Sequence, residues 1–215
     1  MEPQHIWQNQ NWLVVDKPAE WLTVPSRLGD KDERPCLGRY LEKSMNCRLW
    51  PVHRLDFEVS GLVLFALNPN SHRAANGWFE NHLVQKNYQA LSLGSVAQEF
   101  FSEQKWQSRL VRGKRRSFVA DHGQESLTHA ICVGETMGHY QWKLQPLTGR
   151  SHQLRVEMSR HGFAILGDIL YGGSPWSKPG IALRACSLNF SAITQAERFD
   201  LPERLAVMDL VEYLR

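Results

Sequence analysis

The chain has 215 residues, 42% hydrophobic and 22% charged, with a formal net charge of +3. That length accommodates one large domain or two small lobes, and the balance is that of a globular protein rather than a disordered or fibrous one. No apolar run approaches the roughly 20 residues that cross a bilayer, and residues 1–20 lack the basic-then-apolar order of a secretion signal, so a cytoplasmic protein with no membrane partner is expected.

In chain order, residues 6–16 predict a strand hairpin turning at Asn9-Gln10-Asn11, ended by Lys17-Pro18 because proline cannot continue a ladder. Residues 25–35 carry Gly, Pro and mixed charge and read as a surface loop. Over 37–45, Leu37, Tyr40, Leu41 and Met45 share one face of a short helix. His53-Arg54-Leu55-Asp56 then places three ionisable side chains within four residues. Ser60-Gly61 follows, and an apolar run over 62–67 reads as a strand buried on both faces. Charge at the mouth of a core strand is costly unless paired or used. In an extended chain Arg54 and Asp56 point to the same face, either as a strand-end ion pair or as functional groups.

Asn68-Pro69-Asn70-Ser71 punctuates and caps a helix expected over 71–84. Residues 86–91 alternate like a strand. The segment 105–116 holds Lys105, Arg109, Arg112, Lys114, Arg115 and Arg116, no acidic residue and an interleaved Trp106. It reads either as a solvated loop or as a mobile arm that tracks phosphates, since clustered cations displace counterions from nucleic acid. Residues 127–133 and 140–147 predict two strands joined by a polar, Gly-containing turn. Ser151 as N-cap and Gly162 as stop frame a helix of about ten residues bearing Leu154, Arg155 and Met158. Residues 182–190 predict a further strand and 205–214 an amphipathic C-terminal helix.

The strand-rich pattern with a few helices points to an α+β fold. The histidines lack the i, i+4 spacing of a helical zinc site, and Cys36, Cys47, Cys132 and Cys186 are scattered, so no metal is expected. No phosphate-binding loop, dinucleotide fingerprint or Gly-x-Ser-x-Gly elbow is present. What remains is the carboxylate of Asp56, arginines to pair it, aromatics and the basic segment.

These residues carry a resemblance. His53-Arg54-Leu55-Asp56 with Ser60-Gly61 resembles the first signature of RluA-type pseudouridine synthases, and Leu147-Thr148-Gly149-Arg150-Ser151-His152-Gln153-Leu154-Arg155 with Gly167-Asp168 and Tyr171-Gly172 resembles the second. Lys86-x-Tyr88-x-Ala90 resembles the tyrosine-bearing strand between them, and Val14-Val15-x-Lys17-Pro18 the N-terminal strand and turn. The match runs in order over residues 12–190. It departs at Phe57-Glu58-Val59, where basic, acidic and Thr residues are usual, and mildly at Ser151, where Thr is common.

The resemblance implies a mixed, mainly antiparallel sheet in two lobes with flanking helices and a central RNA-binding cleft. It implies a single catalytic domain over 1–215 without a separate N-terminal RNA-binding domain, acting as a monomer on structured ribosomal or transfer RNA. By the same likeness Asp56 is the nucleophile, Arg155 its ionic partner and Tyr88 the base-stacking, proton-transferring tyrosine. Leu154 packs on the base, Arg54 fills the space that a flipped nucleotide leaves, and the basic segment grips phosphates. Uridine supplies every reacting atom, so no cofactor is implied. Lys17 and Asp168 read as structural. Two rivals stand beside this reading: a catalytically silent RNA-binding or ribosome-assembly protein, and a hydrolase pairing Asp56 with Glu58.

Overall fold

Asn9 sits where the first hairpin turns, and its side chain closes the turn by accepting the backbone N–H groups of Asn11 and Trp12. Strands β1 (Gln4–Gln8) and β2 (Trp12–Lys17) pair antiparallel on either side. The computed structural model describes residues 1–136 and 138–214. Two compact units divide the chain, one of residues 1–84 with 186–207 and one of 85–185 with the segment from 208 onward.

In the first unit, helix α1 (Leu37–Met45) occupies the span that its apolar period predicts. The short β3 (Trp50–Pro51) pairs with the end of β4 (Ser60–Ala66), and β4 runs antiparallel to β2 from Trp12 opposite Ala66 to Lys17 opposite Gly61. Both β2 and β4 are buried along their whole length, which explains why neither alternates polar with apolar residues. Helix α2 (Pro69–Glu80) starts two residues before the expected 71 and ends before 84. The Asn68 side chain accepts from Ser71 N–H, and Pro69 takes the first helical position, where its missing N–H costs nothing. Trp12, Leu62, Leu64, Trp78 and Phe190 form the core of this unit, and the Trp12 indole donates to the Arg198 carbonyl at 2.8 Å.

The second unit is built on β5 (Gln85–Ser92), β6 (Gln104–Arg112), β7 (Ser117–Val119), β8 (Gln124–Thr136) and β9 (His139–Pro146). They lie in the order β5-β9-β8-β6-β7, every pair antiparallel. The expected turn between β8 and β9 includes Met137, which lies outside the described residues. Helix α3 (Gln153–Arg160) begins after His152, which adopts a left-handed φ of 54°, so Ser151 is not its N-cap. The Gln153 side chain instead organises the entry, accepting from Arg150 N–H and the Thr148 hydroxyl and donating to the Leu127 carbonyl and the Thr128 hydroxyl.

The chain returns to the first unit within β10 (Leu183–Asn189). The expected helix over 205–214 is largely replaced by β11 (Arg204–Ala206), whose ladder with Ser187–Asn189 outweighs helical periodicity, and by the single turn α4 (Leu210–Tyr213). Buried Arg184 fastens the tail, donating to the Met208 carbonyl and lying 3.9 Å over the Tyr213 ring. The class is α+β with a mainly antiparallel sheet, as the sequence indicates.

One glycine holds the turn after α3. Gly173 N–H donates to the Asp168 carbonyl, and a Cβ at residue 173 would meet the Ile165 carbonyl oxygen at 1.9 Å. Gly173→Ala should therefore lower the urea unfolding free energy by about 2–3 kcal/mol; an unchanged midpoint would show that this backbone relaxes freely.

Candidate active site

Asp56 does not lie on a strand. Residues 53–59 lie ahead of β4 outside any ladder, with a turn over 56–59 closed by Val59 N–H on the Asp56 carbonyl. The turn is tethered on both sides of the aspartate. Before it, the Thr23 hydroxyl accepts from Leu55 N–H at 3.1 Å and donates to the Leu55 carbonyl at 3.0 Å. After it, the Phe57 carbonyl accepts from Glu20 N–H at 2.8 Å and from Lys17 Nζ at 3.4 Å. His53 supports the same bend from below, because its Nε2 accepts Leu64 N–H and its ring stacks on Phe79. Asp56 is half-buried and Arg54 exposed.

Lys17 is fully buried and also donates to the carbonyls of Pro18 and Trp21. Burial pushes its ammonium down to about 7, against the opposing pull of Asp56, Glu58 and Asp16. Neither Lys17 nor Thr23 stood out as a site residue in the sequence. Lys17 reads there as a strand end, and nothing near Thr23 signals a contact with Leu55, 32 residues away.

In the second unit, six of the eight residues of α3 are buried, Arg155 and Glu157 among them. Each charge has a partner, as burial requires. Arg155 donates from Nε and Nη2 to the two carboxylate oxygens of Asp168, at 2.7 and 2.8 Å, with both side chains almost wholly enclosed. Its guanidinium also lies 5.3 Å from the Tyr171 ring centroid. Glu157 accepts from the Ser108 hydroxyl and from Arg160. Asp168 is thus the described ionic partner of Arg155. Leu154 is buried on the same helix, and Tyr88 is half-buried on β5. Lys86 shares a face with Tyr88; burial pushes its ammonium down to about 8, and it donates to the Thr148 carbonyl.

The basic segment is strand and tight turn rather than an irregular arm. Trp106, Ser108 and Leu110 face inward from β6, leaving Lys105 and Arg109 exposed on the other face. Arg112, Lys114, Arg115 and Arg116 are exposed around the turn that Gly113 N–H closes on the Arg116 carbonyl. The Tyr171 hydroxyl fastens this hairpin by bonding both backbone groups of Ser117, and it stands 3.0 Å from His152 Nδ1. At the foot of the hairpin a cavity of about 490 Å³ is lined by Arg112, Ser117, His122, Gln124, Arg150 and Ser151. Sequence reading missed His122 and Arg150 as companions of the basic segment, because His122 comes from the turn between β7 and β8 and Arg150 from the loop before α3.

These features define a class: an α+β protein with one tethered aspartate, a buried arginine and a cationic hairpin suited to a polyanion. The family model for RNA pseudouridylate synthase matches residues 11–160. The dual-specificity RNA pseudouridine synthase RluA of Pasteurella multocida is 32% identical over 198 residues, covering 86% of this chain and 85% of that protein. The tRNA pseudouridine synthase C of Haemophilus ducreyi is 30% identical over 188 residues, covering 80% and 75%. Among solved structures, human RNA pseudouridylate synthase domain containing 1 shares the fold with a TM-score of 0.70 at 22% identity, over 99% of this chain and 93% of that one. The chain belongs to the RNA pseudouridylate synthase family, whose members isomerise uridine to pseudouridine in RNA.

Two measurements probe the buried charges. Asp168→Asn leaves the Arg155 cation enclosed without its bidentate partner and should cost about 3–5 kcal/mol of unfolding free energy; a loss below about 1 kcal/mol would mean that other groups hold Arg155. For Lys17, the folded pKa near 7 lies below the ordinary lysine value of 10.5, so the unfolded chain binds more protons between those values. Stability contributed by this group therefore rises with pH across that window. The unfolding free energy of the wild type, less that of Lys17→Met, should increase from about pH 6 to pH 9; parallel curves would show that Lys17 titrates normally.

Proposed function

We propose that this chain isomerises one or a few uridines of a structured RNA, ribosomal or transfer, with Asp56 as the nucleophile. The observation that carries the reading is the tether on Leu55 and Phe57, which fixes the backbone on both sides of one half-buried carboxylate. A nucleophile held in place forgoes the entropy of finding its target. The names of the two relatives, one dual-specificity and one for tRNA, support the substrate class.

In the reaction, the bond between N1 of uracil and C1′ of ribose breaks, the base turns, and C5 bonds to C1′. The proton on C5 leaves and N1 gains one, so product and substrate have the same atoms. Asp56 attacks or deprotonates the ribose as a carboxylate and then departs. Arg155 serves as a catalytic cation, and Asp168 holds its guanidinium fork in orientation. Tyr88 stacks on the extracted base and moves the C5 proton, and Leu154 packs against the ring. The uridine must leave its stack, at a cost of a few kcal/mol, and Arg54 fills the space vacated.

Lys105, Arg109, Arg112, Lys114, Arg115 and Arg116, joined by Arg150 at the cavity, grip phosphates. We place the chain in the cytoplasm as a monomer; no helix among the described residues is long and apolar enough to cross a membrane. The unusual Val59 is 3% exposed, so its missing hydroxyl is a packing change rather than a loss from an open site.

Pseudouridine mapping in a deletion strain tests the assignment. One or a few sites should vanish, return with the wild-type chain and stay absent with Asp56→Ala. Restoration by Asp56→Ala would remove Asp56 as nucleophile. Persistence of every site in the deletion strain, together with no stable adduct on RNA carrying 5-fluorouridine, would favour a catalytically silent RNA-binding protein.

A further inference from the structure

Residues 20–23 are stitched to two other segments. On one side, Glu20 N–H bonds the Phe57 carbonyl, and Lys17 bridges the carbonyls of Trp21 and Phe57. On the other, Leu22 N–H bonds the Pro35 carbonyl, Leu37 N–H bonds the Leu22 carbonyl, and Gly38 N–H bonds the Thr23 carbonyl. This stitching joins the Asp56 turn to segments that carry two pairs of flat side chains, neither of them used by the reaction as proposed. Trp21 meets Tyr40 edge-on at 5.5 Å, and the Arg34 guanidinium lies 5.1 Å over the ring of Phe57, the residue after Asp56.

We propose that Trp21, Arg34, Tyr40 and Phe57 form a stacking platform for one unpaired nucleobase flanking the target uridine. The proposal rests on the RNA isomerase reading and names a contact that sets which uridines are accepted. Unlike the enclosed Trp12 and Trp78 of the core, these side chains reach solvent: Trp21 and Phe57 are half-buried, Tyr40 is 40% exposed and the Arg34 side chain 46%. Arg34 is already fixed in plane, because it donates from Nε and Nη2 to the two oxygens of Asp32 at 2.9 and 2.7 Å. That ion pair, with the Ser26 hydroxyl, holds the Asp32 carboxyl well below its usual range, so the guanidinium stays paired at any working pH. Aromatic rings and oriented guanidinium planes are the surfaces on which single-stranded bases stack. An extruded uridine leaves its neighbours partly unstacked, and a platform one residue from the nucleophile would take up such a base.

The test uses the full chain and a single-stranded RNA probe of about ten nucleotides, one uridine flanked by adenosines, beside the same probe with abasic flanks. Binding is read by fluorescence anisotropy. Trp21→Leu, Tyr40→Ala and Arg34→Gln should each weaken the adenosine probe about tenfold, the size of one stacked base. Trp21→Phe and Tyr40→Phe should keep wild-type affinity, which separates stacking from misfolding. On the abasic probe, the wild type should fall to the variants' level and the substitutions should add nothing.

Equal binding of the adenosine probe by wild type and variants, equal losses on both probes, or no binding by the wild type would overturn the platform. Pseudouridine formation in RNA from the deletion strain is measured in parallel. If it proceeds while the probe results fail, only the platform falls. If it is absent while the stacking pattern holds, the isomerase reading falls and an RNA-stacking surface remains.

Discussion

A lysine with no exposed surface holds three backbone carbonyls, those of Pro18, Trp21 and Phe57, and the local architecture around Asp56 depends on that arrangement. Burying an ammonium costs free energy that only hydrogen bonds and nearby carboxylates offset. Here the three carbonyls come from the end of β2, from the loop after it and from the Asp56 turn. One group therefore ties strand, loop and turn together, and the cost of its burial secures their register. Thr23 performs the same task with a hydroxyl on the other side of Asp56, without the cost of charge.

The second unit uses the same device with opposite economy. Its buried cation, Arg155, is matched to a buried anion, Asp168, in a two-bond fork, and the Tyr171 ring and hydroxyl continue the contact to the base of the cationic hairpin. A planar guanidinium loses less freedom per bond than a flexible ammonium, so an arginine suits a site where orientation matters. The path from Asp168 through Arg155 and Tyr171 to Ser117 is continuous in named contacts. The hairpin that presents Arg112 to Arg116 is thereby fixed by the same residues that orient Arg155.

Much of the fold is legible in local pattern, and the misses share a cause. Helix α1 and the buried strands β2 and β4 follow their apolar runs, because those runs also decide what is buried. The start of α2 was displaced by a proline that reads as a breaker yet fits the first turn. The start of α3 was displaced because His152 turns left-handed and Gln153 supplies the bonds expected of Ser151. The tail after 205 failed because pairing with β10 is a long-range event that a helical period cannot reveal. The inward Trp106, Ser108 and Leu110 of β6 do show a strand period, but the density of charge around them masks it. For the candidate site, Asp56, Tyr88 and Arg155 stand out in the sequence as motif residues. Thr23 does not, since its contact lies 32 residues away, and Asp168 reads as turn chemistry although its carboxylate holds Arg155.

The departure at Phe57-Glu58-Val59 can now be assigned physical content. The backbone at these positions does the tethering: the Phe57 carbonyl receives Lys17 and Glu20, and Val59 N–H closes the turn on Asp56. Those bonds are indifferent to side-chain identity. The side chains face other tasks, with Phe57 under Arg34, the Glu58 charge acting on Lys17 and Arg34, and Val59 in the core. The sequence can therefore vary here without releasing the aspartate. What varies instead is the surface and the field beside Asp56.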